Sequence, residues 1–396
     1  MIYRKLRMED LPDMEKLHSV VYFFKHDPEK PSEMPWLDEI RIDAARGAFT
    51  EDGKLSAVIQ LIPFKAYLDG TVVGSPGIAG VATLLEHRRG GLVKKLMKNA
   101  MEEMYENGDV MSYLYPFSHD YYRKFGYSQG SYAEEINIDI DKLKKSGCDG
   151  YTRQYFPGDG YDDLKTVYNH FAKSFNCCVV RDKWRWKRLF STDPYKENTF
   201  VYIRYNNADE PVAYIKFEAK QKGIYTHDMH VYEAAWVGIE GISGLLAIIN
   251  SYEGNLEKLK LPVPPGFPVE LIVKDVWDLT LKRDHTGMNR IVNAKKALEI
   301  MKKPMGNGKA VIGMNDDFAP WNSGNWLVEW EDGQSRVSKT EKDPDIICRA
   351  PEFSQLVTGY FPLETMKITD GIEILYNEST LKELFTEKPC FIWDRF

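Results

Sequence analysis

The chain has 396 residues, 43% of them hydrophobic and 28% charged, with a formal net charge of −7. That length exceeds a single core and predicts two or three globular domains, and the acidic balance argues against a dedicated nucleic-acid binder. No run approaches the roughly 18 apolar residues of a membrane span, and the basic start Met1–Arg7 lacks the apolar core and cleavage site of a signal peptide, so a cytoplasmic protein without membrane attachment is expected.

The five cysteines, Cys148, Cys177, Cys178, Cys348 and Cys390, are odd in number and form no C-x-x-C pair. They read as reduced, structural thiols. His227-x-x-His230 is the closest histidine pair, and no cysteine or carboxylate spacing completes a metal site around it, so no metal is expected.

The first segment has the pattern of a mixed α/β unit. Ile2–Arg7 alternates as a strand, and Asp10–Tyr22 carries apolar residues at helical spacing. His26–Trp36, with Pro28, Pro31 and Pro35, reads as a loop. Ala48–Thr50 and Leu55–Pro63 flank the turn signal Asp52-Gly53, and Asp69-Gly70 is a second such turn. Gly77–Leu84 reads as a strand, Gly91–Gly108 as an amphipathic helix stopped by Gly108, and Val110–Tyr115 as a short buried strand.

A second unit begins after Gly147. Asp163–Phe175 and Lys183–Leu189 read as helices, then Phe200–Tyr205, Val212–Ala219 and His230–Trp236 as strands, and Gly238–Ser251 as a helix. This order resembles that of the first unit. The proline-dense strip Leu261–Pro268 reads as a connection between units. Beyond it, Ile291–Met301 and Pro351–Thr358 read as helices, Leu327–Trp330 with Gln334–Val337 as a hairpin across Asp332-Gly333, and Lys388–Phe396 as a tail dense in large apolar side chains.

The junction of strand and helix at Arg88-Arg89-Gly90-Gly91 carries the clearest chemistry. The first turn of a helix has unpaired backbone N–H groups, glycine lets the chain approach a ligand closely, and arginine adds charge-assisted bonds. Such a turn suits a pyrophosphate; an exposed turn with solvated arginines is the plainer alternative. The spacing Arg88-x-x-Gly91-x-Val93 resembles the Gln/Arg-x-x-Gly-x-Gly/Ala acetyl-coenzyme A signature of the GNAT superfamily of N-acetyltransferases, with Val93 departing at the last position. The resemblance implies that Val81, Ala82 and Thr83 pair with the pantetheine arm, and that Arg88, Arg89, Gly90, Gly91, Leu92, Val93 and Lys94 bind the pyrophosphate. It also places Phe117 and Ser118 on the coenzyme side.

Thirty residues on, Tyr122-Arg123-Lys124-Phe125-Gly126-Tyr127 resembles the tyrosine-bearing end of a GNAT active site. A tyrosine there protonates the leaving thiolate, being a proton donor at neutral pH; Tyr121 competes for the role. Together with Leu61–Phe64, Gly77–Thr83 and Arg290–Ala294, these stretches resemble the Eis (enhanced intracellular survival) type of N-acetyltransferase. That resemblance implies an α/β (α+β) chain of two tandem GNAT-like mixed-sheet domains, 1–150 and 151–285, and a sterol carrier protein-like domain, 286–396. The second unit has Trp236-Val237-Gly238-Ile239-Glu240-Gly241 where the basic turn would stand, so the coenzyme is expected in the first domain alone.

The Eis resemblance further implies that the C-terminal carboxylate, here that of Phe396, acts as the base. Phe391, Ile392, Trp393 and Phe396 favour a docked tail over the fraying usual at a terminus. The expected reaction is direct transfer of acetyl from acetyl-coenzyme A to a small-molecule or peptide amine, in a homo-oligomer of three or six chains. A longer-chain acyltransferase, or a coenzyme- or apolar-ligand-binding module, are the alternatives. Asp38 and Glu39 read either as an attraction for a cationic amine or as an ordinary acidic helix start, and Arg395 would repel a polycation if it faced the pocket.

Overall fold

A computed structural model describes residues 1–27 and 34–396. The expected loop between His26 and Trp36 falls largely on residues 28–33, outside the described residues. It is followed at once by a helix, Pro35–Asp43.

One twelve-stranded mixed sheet organises the first three-quarters of the chain. In chain order its strands are β1 (Ile2–Lys5), β2 (Ala45–Phe49), β3 (Leu55–Ile62), β4 (Gly77–Thr83), β5 (Met111–Leu114), β6 (Ser128–Asp139), β7 (Tyr151–Tyr155), β8 (Thr199–Tyr205), β9 (Pro211–Gln221), β10 (His227–Trp236), β11 (Lys258–Val263) and β12 (Thr280–Ile291). Across the sheet they run β1-β2-β3-β4-β5-β12-β6-β11-β10-β9-β8-β7. The order is nearly a palindrome. Each half lays down five strands of its own and sends its sixth to the other half: β12 pairs with β5, and β6 pairs with β11. The two sixth strands pair with each other at the centre, from Thr280↔Asn137 to Asn289↔Ser128.

Three strands at this centre differ from the sequence reading. Ser128–Asp139 and Thr280–Ile291 are strands that the sequence reading does not include, although Ile136 and Ile138 are buried and alternate with Asn137 and Asp139, and the helix expected from Ile291 starts instead at Ala294. The proline-dense strip is partly a strand: Pro262 pairs with Glu135 in β11. Beyond Lys260, β11 has left β10 and keeps a neighbour on one side only. Proline, which has no N–H to donate, is tolerated there. Strand β12 also runs through the expected division at 285/286.

Helices cover both faces of each half. Along β3, Ala57, Ile59 and Leu61 pack under the helix Leu92–Glu106, while Val58 faces Met14 and Leu17 of the helix Leu11–Tyr22. That is the period-two alternation of a strand buried on both sides. In the second half, helices Asp162–Ala172 and Gly238–Asn250 lie against β9 and β10.

The last domain has a five-stranded sheet ordered Gln334–Thr340, Gly324–Glu331, Asn307–Asn315, Ile346–Arg349, Ile372–Ile374. The helix Ala350–Thr358 has every residue buried. Its core is continuous with Val110 and Met111 of the first half and with Cys177 and Val179 of the second. Arg290, on β12, donates to the Phe125 carbonyl and pairs with Asp316, tying this domain to the end of the tyrosine motif. Gly126 is required at that point: its φ is +82°, and a Cβ would meet the Arg290 guanidinium. Among the described residues no helix is long and apolar enough to cross a membrane.

Because β6 pairs only with β12 and β11, and β12 also covers the edge of β5, a fragment of residues 1–150 would carry three unpaired interior edges, the kind that invite aggregation. Such a fragment is expected to show no cooperative thermal transition by circular dichroism, whereas the full chain unfolds cooperatively.

Candidate active site

Strands β4 and β5 are parallel neighbours at Gly77↔Tyr113 and Ile78↔Leu114, and then part. Strand β4 continues to Thr83, leaving one edge open. On the other edge, the register with β3 shifts between Val58↔Ala82 and Gln60↔Ala79, a bulge at Gly80 and Val81. Gly80 has a φ of +55°, and a Cβ there would lie 2.5 Å from Gln60 Oε1. The extra residue reverses the alternation. Ile78 packs under the helix Leu92–Glu106, whereas Ala82 is buried towards the opposite layer. Val81 and Thr83 thereby face the opening, and Ala82 turns away from it.

At the end of β4, Arg88 Nε lies 3.4 Å from the Thr83 carbonyl. Arg89 and Gly91 take left-handed conformations, φ +66° and +77°. Gly91 caps the helix Leu92–Glu106 without any side-chain cap, and the first intrahelical bond at this end runs from Lys95 N to Gly91 O, 3.0 Å. The N–H groups of Leu92, Val93 and Lys94 precede that bond and point out of the helix end. Val93 is half-buried against the first domain's core and also lines the opening.

The chain leaves β5 through Tyr115 and enters a short helix, His119–Arg123, capped by Ser118 Oγ accepting from Tyr121 N at 3.3 Å. Ser118 is thus committed to holding this helix. Tyr122 is buried among the rings of Phe117, Tyr121, Phe125 and Tyr127. That burial, reinforced by Tyr22, raises its pKa above the ordinary tyrosine value and keeps it protonated.

The tail is docked. Asn176 N donates to Pro389 O at 2.9 Å and Phe391 N to Asn176 O at 3.0 Å. Asp394, fully buried, accepts from Arg181 Nε at 3.0 Å, Arg185 Nε at 2.8 Å and Tyr168 Oη at 3.0 Å. Arg181 turns its other nitrogens to Glu233 at 2.7 Å. Tyr115 Oη donates to the Asp394 carbonyl at 2.8 Å, and Arg185 Nη2 to the Arg395 carbonyl at 2.6 Å. The Phe396 ring then lies 4.6 Å from Phe64 and 5.3 Å from Tyr115. Gly77 makes room for it, since a Cβ there would come within 2.3 Å of the ring. Arg395 points elsewhere and pairs with Asp284 at 3.1 Å on the exterior.

These parts meet in one cavity of about 1360 Å³. Of the residues expected at the site, Val81, Thr83, Arg88, Arg89, Gly91, Leu92, Val93, Lys94, Phe117, Tyr121, Tyr122 and Phe396 line it; Ala82, Gly90 and Ser118 do not. Asp38 does not line it either. It is buried and accepts from Arg41 at 2.9 Å, and Glu39 is exposed.

Residues 2–130 and 177–291 each match the acetyltransferase (GNAT) domain family, and residues 294–393 match the sterol carrier protein domain family. The chain is a GNAT-type N-acetyltransferase. It is 21% identical to an uncharacterized N-acetyltransferase of Streptomyces coelicolor over 384 residues, 88% of each chain. Its fold matches a GCN5-related N-acetyltransferase from Anabaena variabilis, with a TM-score of 0.87, 20% identity and full coverage of both chains. It likewise matches Eis1 from Mycobacterium abscessus, with a TM-score of 0.83, 17% identity and full coverage of both.

The second GNAT domain of this acetyltransferase keeps the splay but closes it. Strands β10 and β11 pair at Met229↔Leu259 and His230↔Lys260 and part. Phe267 then packs on Trp236, 5.2 Å between centroids, and Glu240 occupies the first turn of the helix that follows. Several wall residues of the first-domain cavity carried no sequence signal. Tyr22 donates to the Val81 carbonyl at 3.0 Å, with His18 Nε2 behind the wall 3.0 Å from the Gly80 carbonyl, and Gln60, Arg41 and the pair Trp184 and Arg188 come from three separate segments. None stands in a motif; the sheet brings them together.

Two outcomes test the tail. Gly77→Ala is expected to displace the Phe396 ring at a cost of about 1–3 kcal/mol, read as a lower Tm and faster carboxypeptidase trimming. Asp394 is the second lever. Burial opposes its charge, but Arg181 and Arg185 outweigh this and hold its pKa below the usual carboxylate value. A carboxylate depressed in the folded state contributes stability above its unfolded pKa of about 3.9 and loses it as pH falls through the lower folded value. Tail docking, followed by Trp393 fluorescence, is therefore expected to hold from neutral pH down to the ordinary carboxylate range and to fail below it. Asp394→Asn is expected to remove that acid dependence and to cost about 3–5 kcal/mol by leaving Arg181 and Arg185 under-compensated.

Proposed function

We propose that the chain transfers acetyl from acetyl-coenzyme A to a primary amine by direct attack, with both substrates bound in the first-domain cavity. The observation that carries this reading is the convergence on one cavity of the open edge of β4, the Arg88–Lys94 turn, Tyr122 and Phe396. Unpaired donors at Leu92–Lys94, with Arg88 and Arg89, suit the pyrophosphate. Gly91 holds a left-handed turn that a side chain would strain. The unpaired edge of β4 offers peptide groups to the amides of the pantetheine arm, with Val81 and Thr83 facing it. Tyr22, already bonded to the Val81 carbonyl, fixes that peptide's orientation.

In the reaction, the amine nitrogen forms a bond to the thioester carbon and the carbon–sulfur bond breaks. Tyr122 gives its hydroxyl proton to the departing sulfur, and the carboxylate of Phe396 accepts the proton that the amine sheds. No covalent acyl-enzyme is required, because the deprotonated amine is the nucleophile. The solid packing of the sterol carrier protein domain around Ala350–Thr358 supports a structural task for it, that of delivering the tail to the cavity.

Turnover by thiol release tests these roles. Tyr122→Phe is expected to lower kcat by about 10²-fold or more with the KM for acetyl-coenzyme A little changed. Tyr121→Phe is expected to cost far less, and the reverse ranking would move the acid to Tyr121. Residues appended after Phe396 are expected to cut kcat while coenzyme binding, measured by calorimetry, persists; full activity in the extended chain would remove the tail carboxylate from the mechanism.

A further inference from the structure

Strand β4 gives the cavity two ends. Thr83 lies at the Arg88 turn. Gly77 and Ile78, about 16 Å away at the rise of an extended chain, lie against Phe396. The walls at this second end come from distant segments. Trp184, on the helix Lys183–Leu189, stacks on Phe64, which touches the Phe396 ring. Arg188 stands one turn further along the same helix and also lines the cavity. Arg41 also lines the cavity; its backbone carbonyl accepts from Gln60 Nε2 at 3.1 Å, and Gln60 pairs with Ala79 of β4. Leu37, Ile40 and Ile62 add apolar wall to the same cavity.

Apart from the terminal carboxylate of Phe396, the charge at this end has one sign. Among the described residues, every lysine, arginine, aspartate or glutamate lining the cavity is a lysine or an arginine. Arg41 is balanced, with its Nη1 shared between Asp38 at 2.9 Å and Glu15 at 3.2 Å. Arg188 is not: among the described residues no acidic side chain pairs with it. A guanidinium in a cavity wall, without a counter-ion and beside a second guanidinium, is a site for an anion, and its planar fork fits a carboxylate. The same surroundings oppose a polycation.

We infer that the acceptor is an amine that also carries a carboxylate and has an apolar body, such as an amino acid with a large apolar side chain, and that Arg188 binds the carboxylate. This rests on the acetyl-transfer reading above and names the substrate class for the same site. The carboxylate at Arg188 leaves the apolar body against Trp184 and Ile62 and turns the amine towards Phe396 and the open edge of β4. Arg188 keeps much of its surface open to solvent, and partial desolvation together with the like charges of Arg185 and Arg41 holds its pKa below the usual arginine value, the direction that a bound anion would reverse.

The test uses the full chain, acetyl-coenzyme A and a matched set: phenylalanine, its amide, phenethylamine, and the polycations spermine and kanamycin. Phenylalanine is expected to exceed its amide and phenethylamine in kcat/KM by about tenfold or more, the scale of one charge-assisted bond, and the polycations to be poorer still. Arg188→Gln is expected to erase the preference through a higher KM for phenylalanine, leaving the KM for acetyl-coenzyme A in place, and Arg188→Lys to restore part of it. Equal or better use of the amide, phenethylamine or the polycations overturns the inference, as does a preference unchanged in Arg188→Gln. Those results leave acetyl transfer standing. Coenzyme binding without transfer to any of the amines would instead sink the acetyl-transfer reading, and this inference with it.

Discussion

Pairing of the two sixth strands at the centre of the large sheet is the constraint on which the rest of the molecule depends. Strand β12 completes the first half by sitting between β5 and β6, and β6 completes the second half by sitting between β12 and β11. Neither half has a full sheet without the other. The backbone groups of these strands would otherwise be buried without partners, which costs far more than the bonds themselves contribute. The exchange thus makes one folding unit of what the sequence presents as two.

The position of the site follows from it. Strand β12 takes up the edge that β5 offers on the side away from β4, so β4 and β5 are free to part without unravelling the sheet. The chain then leaves β12 at Ile291, directly under the first half, and builds the third domain there. Arg290, at the end of that strand, binds the carbonyl of Phe125 and the carboxylate of Asp316. One side chain therefore fixes the tyrosine-bearing segment to the domain that sends the tail back. The tail itself is held by a balanced set of buried charges, Arg181 and Arg185 against Asp394 and Glu233, all from the second half or the tail. Buried ion pairs are poor sources of net stability, but they penalise any other arrangement heavily. Here they set where Phe396 sits.

The second half shows what separates a fold from a site. It keeps the splay between β10 and β11 and a helix after β10, as the first half does after β4. Yet Phe267 and Trp236 fill its opening, and an acidic residue occupies the first helical turn. The same backbone plan, with an aromatic plug and the charge reversed, offers a phosphate nothing.

Local signals were readable from the chain alone. The Arg88–Gly91 turn, the amphipathic helix after it, the tyrosine segment ending at Gly126, and the apolar tail all depend on residues close in sequence, where helical period, positive φ and turn chemistry leave a direct imprint. The outer strands and most helices were legible for the same reason. The central strands β6, β11 and β12 were not, because their partners lie far away in sequence and polar residues such as Ser128, Glu134, Glu135 and Asn137 stand among their apolar ones, and Pro262 is permitted only by the parting of β11 from β10. Nor did the sequence place Asp38, which turned from the pocket to Arg41, or Ala82, turned inwards by the bulge at Gly80. The sequence by itself marked the Arg88–Lys94 turn, Tyr122 and Phe396. Tertiary structure alone decided that Tyr22, Gln60, Arg41, Trp184 and Arg188 join Phe396 in one cavity, because only the exchange of strands and the buried charges around Asp394 bring those distant segments within contact.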